Sequence, residues 1–178
     1  FGTEGTEGGY SIAKTTGAGY IITGSTTSED GAGGDDVWLI KTDGYGNEEW
    51  NQTFGGVSND IGYSAQQTYD DGYIITGSTR SFGAGGYDAL LIKTDSEGNQ
   101  EWSQVFNGGD MDVAESVQQT TDGGYIITGY TNSYGAGDMD VWLFKVDEED
   151  QPPTISNIET FNVATSTAAI TWLTDEYS

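Results

Sequence analysis

Residues 19–24 read Gly-Tyr-Ile-Ile-Thr-Gly, and the same six residues return at 72–77 and at 124–129. The first residues of these copies, 19, 72 and 124, lie 53 and 52 positions apart. A second motif, Gly-Ala-Gly, keeps the same register at 31–33, 83–85 and 135–137. Self-similarity at a fixed spacing is the signature of a repeat protein. The chain therefore contains three copies of one structural unit.

Each copy is predicted to form four short β-strands. In the second copy, turn residues separate four strand-like runs at about 62–68, 73–79, 88–94 and 100–106. Tyr69-Asp70-Asp71-Gly72 predicts a tight turn between the first two runs, with Gly supplying a positive φ. Short connections make neighbouring strands antiparallel, so each copy is predicted to be a four-stranded meander.

The third strand of the repeat has no polar face. Residues 37–40 read Val-Trp-Leu-Ile and residues 141–144 read Val-Trp-Leu-Phe. A strand of this kind is covered on both sides. Sheets with two buried faces can stack around an axis as β-propeller blades, whereas a β-sandwich would leave one face in water. We therefore predict an all-β fold of three four-stranded propeller-type blades, in a partial propeller or one completed by other chains.

The chain divides into repeats followed by a different segment. No counterpart of Trp50 or Trp102 follows the third strand of the third copy, so its fourth strand is predicted to be missing. Phe1 reads as the end of such a strand, so either the parent protein is longer or several chains assemble. The predicted division is 1–53, 54–105 and 106–150 for the repeats, 151–153 for a Pro linker and 154–178 for a second domain.

Several motifs recur in order from residue 1 to about 147, including Asp-Val-Trp-Leu-Ile-Lys-Thr-Asp at 36–43 and Phe-Gly-Gly at 54–56. This repeat resembles the propeller-type repeats of secreted surface proteins of archaea and some bacteria. Residues 153–178, especially 166–178 with Ile-Thr-Trp-Leu-Thr-Asp-Glu, are similar to the first two strands of a fibronectin type III domain. The resemblance implies an extracellular or cell-surface protein with a structural or adhesive role. It transfers no catalytic residue.

Composition excludes several classes of function. The chain has 29 acidic and 5 basic residues, a net charge of −24, which argues against nucleic acid and anionic membranes as partners. No stretch is apolar for the roughly 18 residues of a membrane helix, so we expect no membrane insertion. Cys and His are absent, which removes zinc sites, thiolate chemistry and His-dependent triads. We expect a protein that is not an enzyme.

Two columns of acidic residues recur through the copies, at the start of the third strand and in the link between units. Gly-rich loops with many oxygens can bind calcium, although no EF-hand or nonapeptide pattern is present. Alternatively, each Asp caps a turn or bonds the backbone of a neighbouring unit. The acids are spread over every copy, which disfavours a catalytic carboxylate pair. The candidate calcium ligands are Asp36, Asp88, Asp140, Asp60 and Asp112, with Glu7 in the position of Asp60.

The aromatic residues fall into two groups. Those at repeated positions are predicted to be core: Tyr20, Tyr73, Tyr125, Trp50 and Trp102. Those that keep no common column are predicted in loops, where they could stack on sugars or contact a protein: Tyr45, Tyr87, Tyr130 and Tyr134. Asn51-Gln52-Thr53 fits an N-glycosylation acceptor.

Two functions from different classes follow. The first is a structural or adhesive surface protein whose open blade faces and unpaired edge join copies of the chain, as a fibre where the contact does not close. The second is a module that binds carbohydrate or a partner protein through its loops. The expected partners are thus other copies, other surface proteins or glycans, and calcium is the only cofactor considered.

Overall fold

The computed structural model describes residues 1–2, 5–27, 34–136 and 138–147. Within these ranges all regular structure is β-strand, arranged as three antiparallel sheets of four, four and three strands. This confirms the all-β prediction and the antiparallel meander of each copy. The predicted linker at 151–153 and the fibronectin-like segment at 154–178 lie outside the described residues.

The strands follow the repeat, and each sheet keeps its strands in chain order. Sheet 1 contains β1 (Glu7–Lys14), β2 (Tyr20–Thr26), β3 (Asp36–Thr42) and β4 (Glu48–Phe54). Sheet 2 contains β5 (Asp60–Gln67), β6 (Tyr73–Thr79), β7 (Asp88–Thr94) and β8 (Gln100–Phe106). Sheet 3 contains β9 (Asp112–Gln119), β10 (Tyr125–Thr131) and β11 (Asp140–Val146). The predicted strands of the second copy are confirmed, except that β5 starts two residues earlier, where Asp60 pairs with Thr79.

The turn between the third and fourth strands is built by one aspartate. The Oδ1 atom of Asp43 accepts hydrogen bonds from the backbone N–H groups of Tyr45 at 2.8 Å and Asn47 at 2.9 Å. Gly46 between them has φ of 85°, which glycine adopts without strain. Asp95 repeats the arrangement in the next copy. This Asx turn explains why the Asp and Gly-Asn positions recur.

The three sheets stack face to face in chain order. We call the face of a sheet that points to the following sheet its front face, and the opposite one its rear face. The front face of sheet 1 carries Ile21, Val37 and Leu39, which form one buried cluster with Ala65 and Ile75 on the rear face of sheet 2. Strand β5 lies on β1, β2 and β3, and β9 lies likewise on β5, β6 and β7. All residues of β6 and β7 are buried, which confirms two covered faces for sheet 2.

We call the interface between two consecutive sheets, together with the link that connects them, a joint. A repeated aromatic pair crosses each joint. The ring centroid of Trp50 in β4 lies 5.6 Å from that of Tyr73 in β6, edge to face. Trp102 and Tyr125 repeat the contact at 6.1 Å across the next joint. Such pairs add roughly 0.5–1.5 kcal/mol beyond the burial of their area. Tyr73, Tyr125 and Trp102 are buried, as predicted, whereas Trp50 and Tyr20 are only half-buried.

Candidate functional sites at the joints and on the open faces

Each joint brings together one aspartate from either acidic column. Asp36, at the start of β3, and Asp60, at the start of β5, meet at Gly55 in the connection between sheets 1 and 2. A Cβ placed on Gly55 would lie 2.0 Å from Asp36 Oδ1 and 2.8 Å from Asp60 Oδ2. Asp36 is 7% exposed and Asp60 is fully buried. In the first joint, a side chain at position 55 would therefore clash with both carboxylates.

The aspartate of the following sheet also organises the link itself. The Oδ2 atom of Asp60 accepts hydrogen bonds from the N–H of Gly56 at 2.8 Å and from the Ser81 hydroxyl at 2.6 Å. The backbone N–H of Asp60 donates to the carbonyl of Asp35 in sheet 1 at 2.5 Å. Asp60 thus holds the link through its side chain and contacts the preceding unit through its backbone.

The second joint repeats the hydrogen bonds of the first, with Asn107 in the sequence position of Gly55. Asp112 Oδ2 accepts hydrogen bonds from the Gly108 N–H at 3.0 Å and from the Ser133 hydroxyl at 2.8 Å. The N–H of Asp112 donates to the carbonyl of Tyr87 in sheet 2 at 2.6 Å. Asp88, at the start of β7, is the counterpart of Asp36 and is likewise buried. The acidic columns predicted from sequence are thus brought together pairwise, as Asp36 with Asp60 and Asp88 with Asp112.

Among the described residues, three carboxylate oxygens at these joints have no hydrogen-bond donor. They are the Oδ1 atoms of Asp36, Asp60 and Asp88, and all are buried. Asp112 differs, because its Oδ1 accepts from the Thr131 hydroxyl. A buried carboxylate without a partner is costly, so such oxygens require an explanation.

The electrostatics of the joints are unfavourable for two charged carboxylates. Burial raises the pKa of Asp36, and the negative charges of Asp60 and Asp35 raise it further. Burial raises the pKa of Asp88 as well, followed by the charge of Asp112, while the hydrogen bond from the Ala84 backbone opposes both. The ion pairs of the described residues involve other acids, and their basic partners are Lys41, Lys93 and Lys145.

Asp140 forms only half of such a joint. It starts β11, is half-buried, and accepts a hydrogen bond on Oδ2 from the Ala136 N–H at 2.9 Å. The described residues supply no following sheet with a counterpart of Asp60 or Asp112. The five candidate calcium ligands therefore form two pairs and one single residue.

The outer faces of the stack expose the positions that the joints bury. On the front face of sheet 3, Val141 is 87% exposed and Leu143 is 66% exposed. On the rear face of sheet 1, Ile12 is 63% exposed. The equivalent residues at the joints are all buried: Val37, Leu39, Ala89 and Leu91 on front faces, and Ala65 and Val117 on rear faces. We call these two surfaces the open front face and the open rear face.

A cluster of tyrosines was not predicted from the sequence. β-bulges fall at Tyr10 in β1 and at Tyr63 in β5, and the two rings pack edge to face at 5.7 Å. The pKa of Tyr63 is raised first by burial and then by the charges of Tyr10, Tyr87 and Glu115. Bulges redirect side chains, which simple strand alternation does not show. We call Tyr10, Tyr63, Tyr87, Tyr130 and Glu115 the tyrosine cluster, since electrostatic interactions connect all five.

The other aromatic candidates do not join this cluster. Tyr45 is 96% exposed on the turn after β3, and Tyr134 packs against Trp142 at 5.7 Å. Tyr130 was predicted in a loop, but it lies within β10, so that prediction was wrong. The repeat places Tyr130 in the strand because its backbone pairs with Val141.

Asn51, the predicted glycosylation acceptor, is exposed on β4. Its Oδ1 accepts a hydrogen bond from the Trp38 indole at 3.2 Å, and its Nδ2 donates to Glu48 at 2.6 Å. A glycan on Nδ2 would leave this atom a single N–H to donate. Asn51 thus also has a structural role in sheet 1.

No family model matches the chain, and no curated protein shows significant similarity to it. Within the described residues there is no helix long and apolar enough to cross a membrane. Function is therefore inferred from the joints and the open faces.

Proposed function

We propose that the chain is a non-catalytic structural module of the extracellular space or cell surface, which assembles by stacking its sheets on those of a second copy. The exposure of Val141 and Leu143 carries this proposal, because the same positions in sheets 1 and 2 are covered by the next sheet. Within the described residues, these two large apolar side chains on one strand are mostly uncovered. Covering an exposed Val or Leu side chain stabilises an assembly by about 1.5–3 kcal/mol each.

A second copy of the chain fits the open front face, because it carries a rear face of the repeat, the kind of surface that covers front faces within the chain. The front faces of sheets 1 and 2 are each covered by the rear face of the following sheet, which is another copy of the repeat. The open rear face of sheet 1 is built on that pattern, with Ile12 and Ile22 paired across β1 and β2. The contact would continue an interface that the chain makes twice within itself. Such a head-to-tail contact gives a ring of propeller-type blades where it closes and a filament where it does not.

The edge strand of sheet 3 also favours a second copy of the chain as the partner. Within the described residues, β11 is an edge strand of sheet 3, whereas in sheets 1 and 2 the third strand is paired with a fourth. Phe1 occupies the register of Phe54 and Phe106, the last residues of β4 and β8, and it is exposed. A second copy placed head to tail would bring Phe1 to the β11 edge and Glu7 to Asp140. An unpaired edge strand favours pairing of this kind.

Light scattering across a concentration series at moderate salt tests the proposal. We expect the mass to rise above that of the monomer, and the double variant Val141→Asp/Leu143→Asp to remain monomeric. Val57→Asp is the matched control, since Val57 is 70% exposed in the link between sheets. It should assemble as the unmodified chain does. A chain that stays monomeric at every concentration would contradict the proposal.

The tyrosine cluster favours a second candidate function, the binding of carbohydrate or a partner protein. Aromatic rings with an adjacent carboxylate are suited to stacking on sugar rings while the acid accepts hydroxyl hydrogen bonds. A glycan array probed with the chain and with Tyr63→Ala would test it. Loss of a signal in Tyr63→Ala, with retention in Tyr45→Ala, supports the binding function, whereas equal signals contradict it.

A further inference from the structure

We propose that each joint between consecutive sheets is a calcium site, held between the aspartate that starts the third strand of one sheet and the aspartate that starts the first strand of the next. The two sites are Asp36 with Asp60 and Asp88 with Asp112. This inference does not depend on self-assembly, because both joints lie within one chain.

The first support is the state of the carboxylate oxygens. An ionised carboxylate only accepts, so the bare Oδ1 atoms of Asp36, Asp60 and Asp88 can be satisfied by a donor or by a cation. All three aspartates are more than nine-tenths buried. At the first joint, two of these bare atoms belong to the two carboxylates that converge on Gly55.

The second support is that the ion pairs of the described residues do not include the aspartates of the joints. Lys93 lies between Asp70 and Glu101, at 2.8 Å from each. Lys145 lies 2.6 Å from Asp122. A cation bound from solution would supply the positive charge that these ion pairs do not bring to the joints.

The chemistry of the surrounding oxygens favours a weak calcium site. Calcium takes six to eight oxygen ligands in flexible geometry. At the first joint the Ser81 hydroxyl contacts Asp60 Oδ2 at 2.6 Å and the Ser58 carbonyl at 3.3 Å, so neutral oxygens adjoin the acids. No group of three or more acidic side chains that could hold a metal occurs in the described residues. With two carboxylates and neutral ligands, we expect a dissociation constant of about 10⁻⁴–10⁻³ M, the range of extracellular calcium modules.

Calorimetric titration with calcium chloride, together with thermal unfolding in calcium and in chelator, tests the site at concentrations where the chain is monomeric. We expect two ions per chain and a Tm that rises with calcium concentration. Asp36→Asn/Asp88→Asn should bind no calcium and lose the Tm response, yet remain folded in chelator because the repulsion is removed. The control Asp71→Asn/Glu97→Gln makes the same change of net charge at exposed positions and should respond fully.

Three results would overturn the inference. One is an unmodified chain with the same Tm in millimolar calcium and in chelator. Another is a calcium response retained in Asp36→Asn/Asp88→Asn, which would place the ion elsewhere. The third is a Tm that rises equally with magnesium, which prefers octahedral sites that keep several waters and would contradict the assignment to calcium.

Discussion

Sheets 2 and 3 have nearly the same sequence pattern but opposite exposure on their front faces. In β7, Ala89 and Leu91 are buried, whereas their counterparts Val141 and Leu143 in β11 are mostly exposed. The backbone pairing of the second and third strands is the same in both sheets. The difference is the following sheet, which covers sheet 2 and has no counterpart for sheet 3 in the described residues. Whether a front-face residue of this repeat is buried thus depends on the neighbouring sheet and not on the sequence of its own strand.

The largest expected effect is the difference in stability between matched substitutions on the two front faces. Leu91→Asp would place an unpaired charge in the joint, and we expect it to destabilise the chain by about 4–5 kcal/mol or to prevent folding. Leu143→Asp should change the stability of the monomer by no more than about 0.5 kcal/mol, because Leu143 is in water. Urea unfolding followed by Trp fluorescence measures both. Equal destabilisation would mean that the front face of sheet 3 is covered in the free chain.

The rear faces give the next largest difference. Tyr73 on sheet 2 is buried under Trp50, so Tyr73→Ala should cost about 3–4 kcal/mol, as large aromatic truncations in cores do. Tyr20 on sheet 1 is only half-buried, and Tyr20→Ala should cost about 1–2 kcal/mol. Chemical denaturation of monomeric protein compares the two. A cost for Tyr20→Ala as large as that for Tyr73→Ala would contradict an open rear face.

A smaller difference is expected at the repeated lysine. Lys93 is buried and paired with two acids, whereas Lys145 in sheet 3 is partly exposed. Lys93→Met should cost about 2 kcal/mol, less than a fully buried pair, because Asp70 and Glu101 can regain water. Lys145→Met should lower the stability of the chain clearly less than Lys93→Met does. Thermal unfolding of the two variants provides the measurement, and the reverse order would show that sheet 3 is covered.

The smallest expected effect is a pH dependence that belongs to the joints. A carboxyl whose pKa is raised on folding binds its proton more tightly in the folded chain, so stability falls as the pH rises through that pKa. Without calcium, Asp36 and Asp88 should therefore add stability as the pH is lowered from neutral towards their usual value of 3.8. Tm measured across this range should show the gain, and Asp36→Asn/Asp88→Asn should reduce it.

At still lower pH the opposite effect applies. The hydrogen bond from Lys145 lowers the pKa of Asp122 to about 2, so the stability from that contact is present above 3.8 and is lost as the pH falls towards 2. A Tm that falls steadily from neutral pH to 3.8 in chelator would contradict the account of the joints.

The sequence predicted the elements better than the contacts between them. Strands β6, β7 and β8 lie where the repeat predicts them, because alternation and turn residues are local signals. The acidic columns were visible too, but the convergence of Asp36 with Asp60 was not, since it depends on how one sheet lies on the next. Tyr10 and Tyr63 were missed for a related reason, because a bulge changes the direction of a side chain without altering the strand pattern.

The most direct test of the stacking of copies uses two single-cysteine chains, since the natural sequence has no Cys. Leu143→Cys marks the open front face and Ile12→Cys marks the open rear face. A short thiol cross-linker should join a Leu143→Cys chain to an Ile12→Cys chain efficiently and join two Leu143→Cys chains poorly. Cross-linking mainly between two Leu143→Cys chains, or none in the mixture at concentrations where the chain assembles, would contradict head-to-tail stacking.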